Sequence, residues 1–207
     1  MTMSSYNRDQ LEAIVLIHQF MGKLSRAQVS QIKRKIQSYL RFRADVAEFQ
    51  KKYFSSLCTQ TCFTSQTSAC CGREGIATFF ADMVINLFLS SDQEIDSLSN
   101  ALIHDPGGLN CVYLTGTGCL WRLKPIVCEM FLCQNAKDTV LGGDNNLQSE
   151  WENLCRREKR YTWPTKPVLF DDLEELFIEK GFFSPLMYFH NSPGLLRLKA
   201  QWKHKKT

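Results

Sequence analysis

The chain has 207 residues, 44% of them hydrophobic and 22% charged, with nine cysteines and a formal net charge of +4. That length buries a hydrophobic core without covalent staples, so the thiols are not explained as the disulfides a small secreted domain needs. The apolar run Ala13 to Ile17 is flanked by acidic residues and lacks a cleavage site, and no apolar stretch approaches the roughly 18 residues of a membrane span. The expectation is therefore a cytoplasmic protein with neither secretory signal nor membrane-spanning segment.

Charge is unevenly laid out. Residues 1–55 carry a net +6, residues 56–150 a net −6 and residues 151–207 a net +4. Nucleic-acid readers place their zinc modules in basic surroundings, so an acidic, cysteine-bearing middle argues against DNA or RNA as the main partner. The same cuts suggest an N-terminal helical segment (1–55), a cysteine-rich region (56–135) and a C-terminal helical segment (136–207), joined in one compact domain.

Two helices are expected first. One places Leu11, Ile14, Val15, His18 and Met21 on a single face, and Gly22 to Ser25 breaks it. The second buries Val29, Ile32, Ile36, Tyr39, Val46, Phe49 and Tyr53, with Lys33, Arg34, Lys35, Arg41, Arg43, Lys51 and Lys52 on a solvated side. From Leu57 to Gly72 neither helical nor strand periodicity is present, which reads as a loop organised by whatever its cysteines bind. An amphipathic core helix follows, marked by Ile76, Phe79, Phe80, Met83, Val84, Leu87 and Phe88. A shorter helix runs from Asp92 to Ile103, capped by Ser91, with Ile95, Leu98 and Leu102 inward, and is ended by Asp105 to Gly108. Cys111 to Leu114 and Cys119 to Arg122, separated by Thr115-Gly116-Thr117-Gly118, predict a short β-hairpin. Pro125 then opens a helical turn bearing Cys128 and Cys133. Helices return with Leu147, Trp151, Leu154 and Cys155 on one face, and with a segment capped by Asp171 or Asp172 and closed by Gly181. The fold class expected is mainly α (α+β), with helices before and after a cysteine-rich centre containing the hairpin.

Eight cysteines form two groups in sequence, Cys58, Cys62, Cys70 and Cys71, then Cys111, Cys119, Cys128 and Cys133. Four thiolates fill a zinc shell at about 2.3 Å, and iron–sulfur clusters also take four, so the spacing leaves both open. Neighbouring side chains on an extended backbone point apart, so one of Cys70 and Cys71 is free to serve a second site. Gly116 and Gly118 permit a turn whose backbone N–H groups could reach a thiolate at Cys119, although hairpins favour glycine in any case.

Cys58, Cys62, Cys70-Cys71-Gly72, Cys111-Val112-Tyr113-Leu114, Gly118-Cys119-Leu120, Lys124-Pro125-Ile126-Val127-Cys128 and Phe131-Leu132-Cys133 together resemble the YkgJ-like cysteine-cluster proteins, a zinc- or iron-chelating family. The resemblance covers roughly residues 55–135 and departs from the pattern in wider first gaps, in Lys124 for an arginine and in Glu129 for a basic residue. It implies metal or iron–sulfur binding by the eight cysteines. Through similarity to flagellin lysine methylases it also implies a cluster-dependent protein lysine methylase using S-adenosylmethionine. The chain has no Gly-x-Gly-x-x-Gly for a Rossmann-type donor site, and Ser65 stands where a radical-type cysteine triplet would need its third sulfur. A third reading is a zinc-structured interaction module whose basic outer thirds meet a protein partner.

Other residues invite blander readings. His18 is expected in or beside the core, His104 and Asp105 adjoin the cysteine region, and His190 and His204 carry no specific signal. Cys155 reads as a buried structural thiol. Asp171, Asp172, Glu174 and Glu175 are accounted for by a helix N-terminus.

Overall fold

Ser4 accepts a hydrogen bond from the Asn7 N–H and opens α1 (Ser5–Gly22). Ser25 and Gln28 form a reciprocal capping box at the start of α2 (Arg26–Phe54), as the sequence break implied. The computed structural model describes residues 3–64, 69–72, 77–187, 190 and 192–204; Ile76 and the His204 side chain therefore lie outside the description. The protein is mainly helical: α3 (Phe80–Leu89), α4 (Asp92–Ile103), α5 (Ile126–Glu129), α6 (Gln134–Ala136), α7 (Asn145–Thr162), α8 (Leu169–Ile178) and α9 (Pro193–His204) complete the helices. A two-stranded antiparallel hairpin of β1 (Leu114–Thr115) and β2 (Gly118–Cys119) sits near the middle of the chain. Among the described residues no helix is long and apolar enough to cross a membrane.

At the centre is α3, in contact with α1 and α8. Phe80 to Phe88 are buried without a break, so this helix is enclosed on all sides and not amphipathic as its spacing suggested. α1 turns a different face inward from the one expected. Ala13, Ile14, Ile17 and Phe20 are buried, while Val15 and His18 are exposed. Two overlapping apolar stripes compete on this helix, and Phe20 decides the register by stacking on Phe177 at 3.9 Å between ring centres. Asn7 and Gln10 are buried as well, because Asn7 donates to the Leu102 carbonyl (3.2 Å) and Gln10 accepts from the Tyr113 hydroxyl (3.3 Å).

On α2 the expected face holds at Ile32, Ile36, Tyr39, Val46 and Phe49, but Arg43 is buried rather than solvated. Beyond Phe54 the helix continues as a wider, π-type turn through Ser55–Phe63, so this stretch is helical where a loop was expected. α4 matches its expected limits and inward residues, and Glu94 completes a capping box with Ser91. The hairpin is shorter than its sequence runs, pairing Leu114 with Cys119 and Thr115 with Gly118. Pro125 does open a helical turn bearing Cys128, whereas Cys133 lies beyond it and caps α6.

α8 starts at Leu169, so Asp171 acts from inside the first turn, accepting from the Val168 N–H at 2.9 Å. The same carboxylate bonds Nδ1 of His190, which is fully buried, at 3.1 Å, and the Lys199 ammonium, which also donates to the His190 carbonyl. His190 is thus the pin of the C-terminal segment, a role its sequence context did not signal. Burial pushes the Asp171 carboxyl up, and its His190, Lys199 and Val168 donors more than offset this, leaving it below the usual aspartate value. A depressed folded value means that the stabilisation is present above the ordinary value of about 4 and is lost as pH falls through the folded one. Asp171→Asn should therefore lower stability at pH 7 by about 1.5–3 kcal/mol, and urea denaturation should show that deficit shrinking as the pH is taken below about 4.

Candidate metal centre

All nine cysteines are free thiols, and all but exposed Cys70 are half-buried. Cys58 and Cys62 are four residues apart on the π-type extension of α2, which sets them on neighbouring turns of one helix face. Cys70 and Cys71 share a short 3-10 turn. The backbone then draws the second half of the centre onto Cys71: its carbonyl accepts from the Cys111 N–H at 2.7 Å, and Gly72 bridges to Asn110. The hairpin carries Cys119 back toward Cys111, with the Leu120 N–H bonded to the Tyr113 carbonyl at 2.9 Å.

Backbone donors face three of the sulfurs. The Leu114 N–H bonds the Cys111 carbonyl at 3.0 Å, the Ala136 N–H reaches the Cys133 sulfur at 3.4 Å, and the amides of Tyr113 and Trp121 offset part of the burial that raises Cys111 and Cys119. Such bonds favour the thiolate form and recur as tuning elements around bound metals. The donors stand two or three residues after each cysteine, so the expectation that Gly116 and Gly118 supply them to Cys119 is not met. Those glycines serve the turn, where Gly118 adopts a φ of +123°.

The thiols influence one another electrostatically. Cys111 is influenced by Cys119 and Cys71, and Cys128 by Cys111, Cys119 and Cys71. Cys58 is influenced by Cys62 and Cys133, and Cys70 by Cys133, Cys58, Cys71 and Cys62. Burial, reinforced by these like-charged neighbours, pushes Cys111 and Cys70 up to about 11 and Cys128 up to about 12. A bound cation inverts that preference, since it favours the thiolate directly. Among the described residues, no three His, Cys, Asp or Glu side chains stand close enough to share a metal ion as they are.

A buried polar strut supports the Cys128 segment, and periodicity gave no sign of it. Asp82 and Asn86, one turn apart on α3, accept from the Ile126 N–H (3.1 Å) and the Leu123 N–H (2.9 Å). Tyr39 donates to Asp82 at 3.4 Å, and Arg43 donates to the Tyr39 hydroxyl at 2.8 Å and to the Lys124 carbonyl at 2.7 Å. Glu129 lies 3.9 Å from Arg43 and 3.7 Å from the Lys124 ammonium. Burial lifts Asp82 to about 7 against the opposing pull of Arg43. The one visible signal in the sequence was an aspartate and an asparagine inside an otherwise apolar helix.

Tyr6 also borders the centre, bonding Thr78 at 3.4 Å, and its phenol is held above its usual range by burial and by Cys111, Cys128 and Cys119. The residues set aside earlier stand apart from this chemistry. His104 caps α4 at the surface, Asp105 accepts from Asn7 (2.8 Å) and the Gly107 N–H (2.9 Å), and Cys155 packs beside the Trp151 and Leu154 stripe of α7. No protein-family model, no curated protein and no solved structure matches the chain.

Proposed function

We propose that the centre of this chain binds a thiophilic metal, either zinc or an iron–sulfur cluster, through its cysteines in the manner of the YkgJ-like proteins. What supports the reading is that Cys71, Cys111, Cys119 and Cys128, distant in sequence, lie within electrostatic reach of one another, with the Cys111 N–H bonded to the Cys71 carbonyl at 2.7 Å and the Ala136 N–H on the Cys133 sulfur at 3.4 Å. Thiolates are soft ligands suited to zinc and to iron–sulfur clusters. Sulfurs around one zinc stand about 3.8 Å apart at a metal–sulfur distance of about 2.3 Å, so the thiols draw together on binding, and binding is coupled to folding. A bound metal would supply positive charge that offsets the thiolates and would cross-link segments that are short of regular secondary structure, the hairpin having two strand pairs. A cytoplasmic setting, which keeps thiols reduced, belongs to the same reading.

Protein purified without oxygen should contain metal: brown with charge-transfer absorption for an iron–sulfur cluster, colourless with bound zinc for a structural ion. Cys119→Ser and Cys128→Ser should lower metal content and thermal midpoint together, and Cys155→Ser should leave metal content unchanged. Full metal in all three variants overturns the ligand assignment. Titration calorimetry against S-adenosylmethionine separates the methylase from a binding protein, since silence there removes the transferase.

A further inference from the structure

An open groove of about 220 Å³ lies between α2 and α8, with no cysteine in its lining. Phe20, Leu24, Ile32 and Leu176 give it an apolar floor, and the stack of Phe20 on Phe177 makes that floor part of the buried core. Lys35 and Asp172, 3.1 Å apart, close one end. From there the walls run antiparallel, through Gln31 and Gln28 on α2 and through Glu175 and Glu179 on α8. Pockets for whole small-molecule ligands usually hold about 300 Å³ or more, so this groove is sized for a single long side chain.

The α8 wall is electrostatically unfavourable as it stands. Asp172, Glu175 and Glu179 recur on one face at three- and four-residue spacing, and Lys35 neutralises only the first. Glu175 and Glu179 form no ion pair among the described residues, and Lys180 lines the groove without pairing with either. Like charges one turn apart repel. Both carboxylates also stand at the negative end of the helix dipole, where the last turn carries no basic residue. An incoming cation relieves both penalties.

We infer that the groove docks a partner protein through one inserted arginine, its stem on the apolar floor and its guanidinium between Glu175 and Glu179. Long cationic side chains combine an apolar stem with a charged head, which is the pairing of floor and wall found here. Arginine fits better than lysine, because its planar fork of five donors serves two carboxylates at once whereas an ammonium is a point charge. The side-chain carbonyl of Gln31, on the facing wall, is a further acceptor. Free arginine brings its own carboxylate toward an acidic wall, so a residue within a peptide is the better occupant. This docking site goes beyond the metal reading and does not depend on it.

The test titrates ¹⁵N-labelled full-length protein, at low salt, with an end-blocked Gly-Arg-Gly peptide. The amide signals of Gln31, Glu175 and Glu179 should shift and saturate. The same peptide carrying citrulline, a neutral isostere of arginine, should leave them in place, and Gly-Lys-Gly should bind more weakly. Glu175→Gln with Glu179→Gln, two exposed changes, should weaken the arginine peptide by about tenfold or more. The absence of any shift with the arginine peptide overturns the inference, as do equal responses to arginine and citrulline. An arginine response as strong at Asp92 and Asp96 of α4 as in the groove means general charge attraction and also overturns it. Lysine binding as tightly as arginine overturns the choice of side chain. These comparisons use the unmutated chain, so they stand whether or not the double variant folds, and none of them bears on metal content.

Discussion

Replacing Arg43 by methionine is expected to lower stability by about 3–5 kcal/mol, a thermal shift of roughly 6–20 °C for a chain of this size. Methionine preserves most of the volume, so the loss is electrostatic. Arg43 is buried, and its removal leaves the Tyr39 hydroxyl and Lys124 carbonyl without their donor and Glu129 short of a cation. Asp82 loses its largest favourable charge partner in the same step. Differential scanning calorimetry should show the shift, with Arg41→Met, exposed and two residues away, staying within about 0.5 kcal/mol of the parent. A change as small for Arg43→Met would mean that the strut contributes nothing net.

A second loss of similar size should follow from Phe177→Ala. The Phe177 ring is fully buried, stacked on Phe20 and edge-on to Phe80 at 5.0 Å and Phe182 at 6.4 Å. Truncation opens a cavity between α1, α3 and α8, three elements that cannot all close on it at once, and comparable truncations lower stability by about 3–5 kcal/mol. Phe183→Ser, at a side chain 68% exposed, is the control and should change little. Equal denaturation midpoints for the two variants would contradict this account of the core.

Local signals carried much of this fold. α4 could be read to the residue because its cap, its capping box and its three inward residues all lie within thirteen positions. The hairpin was marked by its glycine-rich turn, and α2 by a sustained apolar face. What stayed hidden depends on partners far along the chain. The register of α1 is decided by Phe177, and the burial of Arg43 by Lys124 and Glu129. The cysteines divide the same way. Their presence and number are local facts, but the bond from the Cys111 N–H to the Cys71 carbonyl and the bridge from Gly72 to Asn110 join positions some forty residues apart.

The enclosure of α3 has a kinetic meaning. Its amides are hydrogen-bonded within a helix whose residues from Phe80 to Phe88 are all shielded from solvent, so fraying from an exposed side is closed to them. Deuterium should enter this segment only when the whole domain opens, making it the slowest-exchanging stretch of the chain. Its exchange rate then works as an internal gauge: any bound metal that tightens the global fold should slow deuteration at Met83 and Val84, in a helix that carries no cysteine.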